Sequence, residues 1–563
     1  MPKLRIAHLS GPTATIQNTP PLVTSNKARE KYGLPPLRDD AGEALRFDPL
    51  RPQRLAAPAT VYVEQFSGHP LERDAADLYA PPDGYLDAQG RFHRERQSPQ
   101  DTPVFEVELR PEDGLYPMPY MARQADGRPW EIECTDPGAP PERVRQTFFP
   151  DGSRSFEEID RLQVDGNGHN NQISRRAQVD FHRVVPGGGY TKGLPAEQRT
   201  DAGAGDIAPE RWGRDFFSYK PPHLSKSPPR QSLAVIANRV QDIVASGSYD
   251  GAIWTQGSPR VEETVYWLSL MLDTALPVCC NAAQRPHGST SADGPQNIID
   301  SVRFIESGVW ADDEGRNRTG VVLVQDQRVF AAREVVKADA RPGGFVATGG
   351  HGGVIGSSGP ETEPVLTFIP ASRHTWRSQV NIARLPDTVT GMLRVDGQPA
   401  PTPVQVKQDG RLRDAALPKV SIIKDGNYPG DDYDEDERNH VDLLAMMDDM
   451  LARAPLAGFV VEGQNPYGFP MSEVRRRLLV RAIFSGLPVV GVGRGNTEGF
   501  AHKVPPFIGG QNLTSQKARL LLMACLMKFG SFPAAADPDH PTAAERDATL
   551  AKLKDYQSIF DTH

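Results

Sequence analysis

The sequence predicts an α/β protein of two domains, each built on a mainly parallel sheet. Short apolar runs typical of buried strands alternate with amphipathic helical patterns, first over residues 221–375 and again over residues 417–535. Strands that are separated by helices favour parallel pairing with right-handed crossovers. The length of 563 residues is sufficient for two or more domains, because single hydrophobic cores stop growing well below that size.

The first domain is predicted in two separated pieces, residues 1–40 and 221–375. The first piece opens with an apolar strand over 4–9, followed by a loop rich in Gly, Pro and Thr. In the second piece the hydrophobic period predicts helices over 232–245, 261–272 and 295–304, and strands over 252–254, 277–282, 320–324 and 328–332.

Residues 41–220 lie between these pieces and are rich in Pro, Arg, Asp and Gly. Alternating stretches such as 104–109 indicate half-buried strands. We therefore expect some β structure in this segment. Disorder throughout is the alternative, and the aromatic content argues against it. Its loops 165–171 and 184–192 are candidates for lining the pocket, with ordinary hairpin turns as the simpler interpretation.

The second domain follows a polar, Pro-rich stretch, 376–416, which indicates an interdomain connection. Within residues 417–535 the pattern predicts strands over 420–423, 458–462 and 488–492, and helices over 440–454, 472–485 and 515–529. The tail, residues 536–563, is predicted to be a polar helix, and we interpret it as a solvated or subunit-packing appendage.

Composition excludes several classes of partner. The net charge of −9 gives no general attraction to nucleic acid or acidic lipid, and no apolar run is long enough to span a membrane. The N-terminus does not have the pattern of a signal peptide. Four cysteines without metal-site spacing favour a reducing, cytoplasmic setting, with Cys279 and Cys280 as core thiols.

We also expect no metal and no cofactor. The triple glycine at 187–189 lacks the spacing and the Lys-Ser/Thr ending of a phosphate-binding loop. The acidic run 431–437 could attract a hard cation, but a solvated turn is the simpler interpretation.

The most informative segment is 255–264, which reads Thr-Gln-Gly-Ser-Pro-Arg-Val-Glu-Glu-Thr. An apolar strand precedes it, and Glu262 and Glu263 begin an apolar helix, where carboxylates complement the positive end of the helix dipole. Open α/β sheets bind their ligands at the carboxyl ends of parallel strands. The hydroxyl of Ser258 is therefore placed for chemistry, although a plain strand–helix turn remains the alternative.

This segment resembles the second active-site motif of the L-asparaginase/glutaminase family (bacterial type, threonine nucleophile), Thr-His-Gly-Thr-Asp-Thr-x-Glu-Glu-Thr. Further segments resemble family motifs in the family's order, which makes the resemblance specific. They are Arg-Pro at 285–286, Ser-Ala-Asp-Gly-Pro-Gln-Asn at 291–297, the lysine-bearing stretch at 329–337, Tyr-Pro-Gly-Asp-Asp at 428–432 and the last helix at 512–523.

The resemblance also implies that residues 41–220 are an insertion, because the family's core has no segment of this size at that place. The insertion follows the nucleophile loop directly, where it can cover the pocket.

The resemblance implies a catalytic set. Thr13, in the turn after the first strand, matches the nucleophile, and a threonine hydroxyl needs a neighbouring base to become reactive. Ser258 stands at the second catalytic threonine, and Lys337 stands at the catalytic lysine. Tyr32 is the nearest match to the activating tyrosine and lies a little far along the chain.

The resemblance also implies substrate contacts, and here the chain departs from the pattern. Ser225 falls near the family's serine that binds the substrate carboxylate, and Asn465 lies in the loop that in the family reaches a neighbouring subunit. Gly257 matches the glycine of the family's second motif, whereas Gln256 replaces the histidine of that motif. Pro259 replaces the aspartate that grips the substrate ammonium, and proline offers neither charge nor an N–H group.

Together these residues predict an amidohydrolase that forms an acyl-enzyme on Thr13, acts on a small-molecule amide (linear, possibly cyclic) other than free L-asparagine, and assembles as a homodimer or homotetramer. One alternative is an L-asparaginase/glutaminase in which another acid replaces the missing aspartate. The alternative of another class is a non-catalytic amide- or metabolite-binding relative, which would have no need of the three groups Thr13, Ser258 and Lys337.

Overall fold

The computed structural model describes residues 3–11, 23–25, 47–49, 51–54, 59–63, 83–87, 91–109, 115–118, 123–124, 172–183, 230–285, 291–341, 343–348, 352–359, 362–425, 436–464, 468–470, 472–494 and 503–563.

Before residue 184 the described part of the chain consists mainly of short strands. They are β1 (Leu4–Ser10), β2 (Val23–Ser25), β3 (Phe47–Pro49), β4 (Arg51–Arg54), β5 (Ala59–Val63), β6 (Gly84–Leu86), β7 (Phe92–His93), β8 (Thr102–Leu109), β9 (Leu115–Met118), β10 (Arg123–Gln124) and β11 (Ala177–Arg183). Five of them form a small sheet in the order β10-β5-β8-β6-β7. The segment predicted as an insertion therefore contains β structure.

The main sheet is completed by residues 230–366. Its elements are α1 (Ser232–Ala245), β12 (Gly251–Thr255), α2 (Val261–Met271), β13 (Val278–Asn281), α3 (Gly294–Ser307), β14 (Val321–Gln325), β15 (Arg328–Ala331), β16 (Val335–Lys337), β17 (Phe345–Ala347), β18 (Val354–Gly359) and β19 (Thr362–Leu366). Eight strands pair in the order β11-β1-β12-β13-β14-β15-β18-β19, and β16 and β17 form a separate hairpin.

Five neighbouring strands of the main sheet are parallel, namely β11, β1, β12, β13 and β14. The remaining three strands, β15, β18 and β19, pair antiparallel. The mixed sheet confirms the α/β class. Every residue of β12 and β14 is buried, because α1 and α2 cover one face and α3 covers the other. Strand β11 joins this sheet beside β1, so the segment predicted as an insertion also supplies an edge strand, which its sequence pattern did not indicate.

The predicted connection contains a regular hairpin. It comprises a 3-10 helix (Thr375–Arg377), β20 (Thr388–Val395), β21 (Gln398–Gln405), β22 (Lys407–Gln408), β23 (Arg411–Leu412) and a 3-10 helix (Asp414–Ala416). The prolines at 399, 401 and 403 occupy every second position of β21. Because alternate N–H groups of a strand point to one side, the missing donors all fall on the side away from β20.

The second domain has a four-stranded, fully parallel sheet in the order β24-β25-β26-β27. Its elements are β24 (Lys419–Lys424), a 3-10 helix (Glu437–Asn439), α4 (Val441–Arg453), β25 (Ala457–Gly463), α5 (Glu473–Phe484), β26 (Val489–Gly493), β27 (Ile508–Gly509) and α6 (Ser515–Phe529). The strands and helices predicted for this domain are present. Helix α6 packs against α2 of the first domain, so one apolar core is shared by both domains.

The tail forms α7 (Ala543–Phe560), as predicted, and begins with a capping box between Thr542 and Glu545. Its interpretation as a solvated or subunit-packing appendage is wrong. Tyr556 and Phe560 are fully buried, and the ring of Tyr556 packs 5.1 Å from that of Phe532. The apolar face of α7 belongs to the core of its own chain.

No helix in the described ranges is long and apolar enough to cross a membrane. Cys279, Cys280 and Cys525 are free and buried, which confirms the prediction of core thiols for the first two.

Candidate active site

The turn at residues 256–260 starts where β12 reaches the carboxyl edge of the main sheet. The N–H group of Gly11 donates to the carbonyl of Thr255 over 2.8 Å, so the end of β1 lies directly beside the end of β12. Gly257 and Ser258 are half-buried, and Pro259 is exposed. The motif residues thus lie where α/β sheets bind ligands.

Ser258 and Lys337 meet at this edge, although 79 positions separate them in the chain. Lys337 is the last residue of β16, and its Nζ donates to the Ser258 Oγ over 2.7 Å. Burial lowers the pKa of Lys337, and the charge of Glu262 opposes that lowering. A lysine with a lowered pKa beside a hydroxyl is an arrangement that can move a proton.

Glu262 also contacts Lys337, which the sequence did not indicate. Its carboxylate accepts a hydrogen bond from the backbone N–H of Lys337. Burial raises the pKa of Glu262, opposed first by this hydrogen bond and then by the charge of Lys517. In the sequence Glu262 is a first-turn carboxylate of a helix, and nothing there connects it to a residue 75 positions later.

Lys517, on α6, extends the charged cluster from the second domain. It is fully buried, donates to the carbonyl of Ala332, and has its pKa lowered to about 7 because of burial, against the charges of Glu334 and Glu262. Glu263 forms an ion pair with Arg519 of the same helix. The second domain therefore supplies the charges that lie behind Glu262.

The side chain of Gln256 is buried and bonded to a neighbouring residue. Its side chain is 4% exposed, and its Oε1 accepts from the indole Nε1 of Trp254 over 3.0 Å. Its backbone N–H donates to the carbonyl of Asn281 over 3.2 Å. The side-chain oxygen and the backbone N–H of Gln256 are thus both engaged within the protein.

Asp293, from the Ser-Ala-Asp-Gly-Pro motif, closes the loop that follows β13. Its carboxylate accepts from the backbone N–H groups of Gln284, at 3.0 Å, and Arg285, at 2.9 Å, and from the Gln325 side chain at 2.6 Å. This part of the motif has a structural task that composition alone did not reveal.

Four of the predicted site residues, Thr13, Tyr32, Ser225 and Asn465, lie outside the described residues, as do the loops 165–171 and 184–192. Gly11 is the described residue nearest to Thr13 in the chain. Within the described part of the chain no group of three or more His, Cys, Asp or Glu side chains is arranged to hold a metal ion.

Part of this chain is similar to known proteins. Residues 208–353 match the family model described as asparaginase, N-terminal. The chain is 30% identical over 175 residues to a glutaminase-asparaginase of Acinetobacter glutaminasificans, covering 31% of this chain and 50% of that protein. It is 33% identical over 107 residues to L-asparaginase 2 of Bacillus subtilis, covering 19% of this chain and 27% of that protein.

The matches thus span half or less of these curated relatives. Among solved structures, a probable cytoplasmic L-asparaginase from Campylobacter jejuni aligns with a TM-score of 0.42 and 20% identity, over 67% of this chain and 93% of that one.

Proposed function

This chain is a member of the L-asparaginase family, and from that premise we propose that it hydrolyses a carboxamide, or a related C–N bond, through an acyl-enzyme on Thr13. The observation that carries the proposal is the contact between the Lys337 Nζ and the Ser258 Oγ at the edge where the Thr13 loop begins. A desolvated lysine is costly to bury, which is why such groups mark functional sites.

The proposed reaction uses the groups at this edge in two steps. The Thr13 hydroxyl attacks the amide carbon and gives up its proton, the C–N bond breaks, and the nitrogen leaves protonated as ammonia or an amine. Water then cleaves the ester and restores the hydroxyl. Two groups are candidates for accepting the proton of Thr13. One is the pair of Ser258 and Lys337, and the other is Tyr32.

The tetrahedral intermediate needs donors for its negative oxygen. Because the N–H group of Gln256 is engaged by Asn281, we assign this task to the backbone amides of Gly257 and Ser258. The positive charge of Lys337 stabilises the same developing charge.

The substrate follows from Pro259. The exposed proline supplies no carboxylate for an α-ammonium group, so we propose that free L-asparagine is a poor substrate. The second candidate function is plain asparaginase/glutaminase activity, which the names of the curated relatives favour. A panel of free amino acid amides, N-acylated amides and cyclic amides separates the two.

For assembly we propose a homodimer or a dimer of dimers, with Asn465 contributing to a neighbour's pocket wall. A loop of turn-forming and polar residues suits a symmetric interface. Light scattering at working concentration tests this, and a fully active monomer would contradict it. A cytoplasmic setting stays part of the proposal.

The test of the function is ammonia release from the amide panel by the natural chain and by Lys337→Met. We expect the variant to lose activity by about 10²–10⁴-fold, with unchanged circular dichroism. Lys554→Met, which removes an exposed lysine of α7, is the matched control and retains activity.

Two results would overturn the proposal. Unchanged kinetics in Lys337→Met would show that the lysine is only structural. Tight binding of an amide by the natural chain without any product would favour the non-catalytic relative.

A further inference from the structure

A row of buried polar side chains crosses the strand ends from which the Ser258 turn starts. His8 lies on β1, Thr255 on β12, Asn281 on β13 and Ser301 on α3, and none is more than 8% exposed. The same face of the sheet is otherwise apolar. Because burying a polar group without a partner is costly, a continuous row of this kind calls for an explanation.

The row is linked by hydrogen bonds from one end to the other. The His8 Nε2 lies 2.6 Å from the Thr255 Oγ1, which lies 2.6 Å from the Asn281 Oδ1. The Asn281 Nδ2 lies 3.2 Å from the Ser301 Oγ. The Ser301 Oγ lies 2.7 Å from the carbonyl oxygen of Asn297.

The last contact fixes the direction of all the others. A carbonyl oxygen only accepts, so the single hydroxyl hydrogen of Ser301 points to Asn297. The Ser301 oxygen then accepts from the Asn281 Nδ2. The Asn281 Oδ1 also only accepts, so Thr255 donates its hydrogen to it, and the Thr255 oxygen must accept from the His8 Nε2.

The opposite orientation of the Asn281 amide fails by the same rule. Its Oδ1 would then face Ser301 and would require the hydroxyl hydrogen of Ser301. The 2.7 Å contact between Ser301 and the Asn297 carbonyl would be left with two oxygens and no hydrogen, which is unfavourable in a buried site. One direction alone satisfies the row.

The backbone ties this row to the proposed active site. The carbonyl of Thr255 accepts from the N–H of Gly11, and the carbonyl of Asn281 accepts from the N–H of Gln256. The side chains of the row and these two backbone contacts together join the ends of β1, β12 and β13. These are the ends that lead to Thr13, to Ser258 and to the Arg285 loop.

We propose that His8 is a positioning residue that carries its hydrogen on Nε2 and, by donating to Thr255, holds the end of β1 at Gly11 and the Ser258 turn at a fixed separation. The kinetic consequence rests on the proposed function, whereas the hydrogen position and the coupling within the row do not.

The first experiment reads the hydrogen directly. Long-range ¹H–¹⁵N correlation spectra of the labelled natural chain report which ring nitrogen of each of the 13 histidines is protonated, and the signal lost in His8→Leu identifies His8. We expect a protonated Nε2. A bare Nε2 with the hydrogen on Nδ1 alone would overturn the proposal.

The second experiment separates positioning from mere structure. His8→Gln keeps a donor at the reach of Nε2, and His8→Leu removes it. We expect His8→Leu to lower kcat by about 10- to 100-fold, as a small misplacement of reacting groups does, with KM nearly unchanged, and we expect His8→Gln to restore most of kcat. Equal kinetics in the two variants would contradict the proposal.

Thr255→Val keeps the shape of the side chain and breaks the same link, so it takes the place of His8→Leu should that variant not fold. The melting temperatures of His8→Leu, Thr255→Val and the double variant provide a cycle that needs no substrate. We expect the two shifts in melting temperature to be non-additive, because both residues share one hydrogen bond. Additive shifts would show that His8 and Thr255 are not coupled and would refute the proposal.

The spectra and the melting temperatures test the row of hydrogen bonds independently of the proposed function. Absence of ammonia release from every amide, together with a protonated Nε2 and non-additive shifts, would refute the amidohydrolase proposal and leave the row intact.

Discussion

The two parallel sheets of this chain share one architecture and differ at their carboxyl edges. In the second sheet the carboxylate of Glu462, near the end of β25, is bound within its own domain. It accepts a hydrogen bond from Ser515 over 2.6 Å and lies 3.4 Å from the Lys424 Nζ. In the main sheet, β12 ends in a half-buried turn where Ser258 accepts from Lys337. The same sheet geometry therefore supports a stabilising edge in one domain and, in our proposal, a reactive edge in the other.

The two lysines show the difference most clearly. The side chain of Lys424 is 70% exposed and lies beside the Glu462 carboxylate. Lys337 is held against a hydroxyl, and burial lowers its pKa. The chemistry that we propose at the main sheet therefore depends on desolvation of Lys337 and on a neighbour that can exchange a proton.

The largest effect should come from Thr13→Ala, which removes the proposed nucleophile at the main sheet. We expect turnover to be abolished while the melting temperature is unchanged, measured by ammonia release and thermal unfolding. Thr15→Ala, in the same loop, is the matched control. Substantial remaining activity would make Ser258 the candidate nucleophile.

Next is Pro259→Asp, which restores a carboxylate to the reactive edge. If the missing clamp costs about 2 kcal/mol or more of amino acid recognition, activity on free L-asparagine should rise by about 30-fold. Arg260→Asp places the same side chain one position later and should not produce this gain. Robust asparaginase activity in the natural chain would instead show that another group binds the ammonium.

Glu262→Gln should shift the pH profile. The charge of Glu262 opposes the lowering of the Lys337 pKa, so its removal lowers that pKa further. If Lys337 is the base, the acidic limb of kcat/KM moves to lower pH. Glu263→Gln, whose carboxylate pairs with Arg519, leaves the limb in place. A shift to higher pH would argue against Lys337 as the base.

The smallest effect on activity is expected at the edge of the second sheet. Ser515→Ala removes a hydrogen bond to the Glu462 carboxylate, which should reduce the free energy of unfolding by about 1.5–3 kcal/mol and leave kcat unchanged. Ser558→Ala, which loses only a local bond within α7, is the stability control. A large loss of kcat in Ser515→Ala would erase the distinction between the two edges.

Sequence patterns predicted most of the two α/β units, because hydrophobic periods of helices and strands reflect burial directly. They did not predict β11 in the main sheet, since pairing with β1 is a contact between residues 173 positions apart. They also did not predict that the helix of the tail packs into the core. Its buried aromatic residues, Tyr556 and Phe560, lie among polar residues, so the apolar face is weak in the sequence.

At the site, the motif resemblance predicted that Ser258 and Lys337 belong to one catalytic set. It could not identify Glu262, Lys517 or the row that starts at His8. Each of these acts through contacts between distant elements, and a buried charge or histidine has no local sequence signal.

The proposed acyl-enzyme is tested most directly by peptide mapping with mass spectrometry of the natural chain, quenched with acid during incubation with its best amide. An acyl-enzyme on Thr13 would give the added mass of the acyl group on the peptide that contains Thr13. An acyl group on the peptide of Ser258, or ammonia release with no acylated peptide at any time, would contradict it.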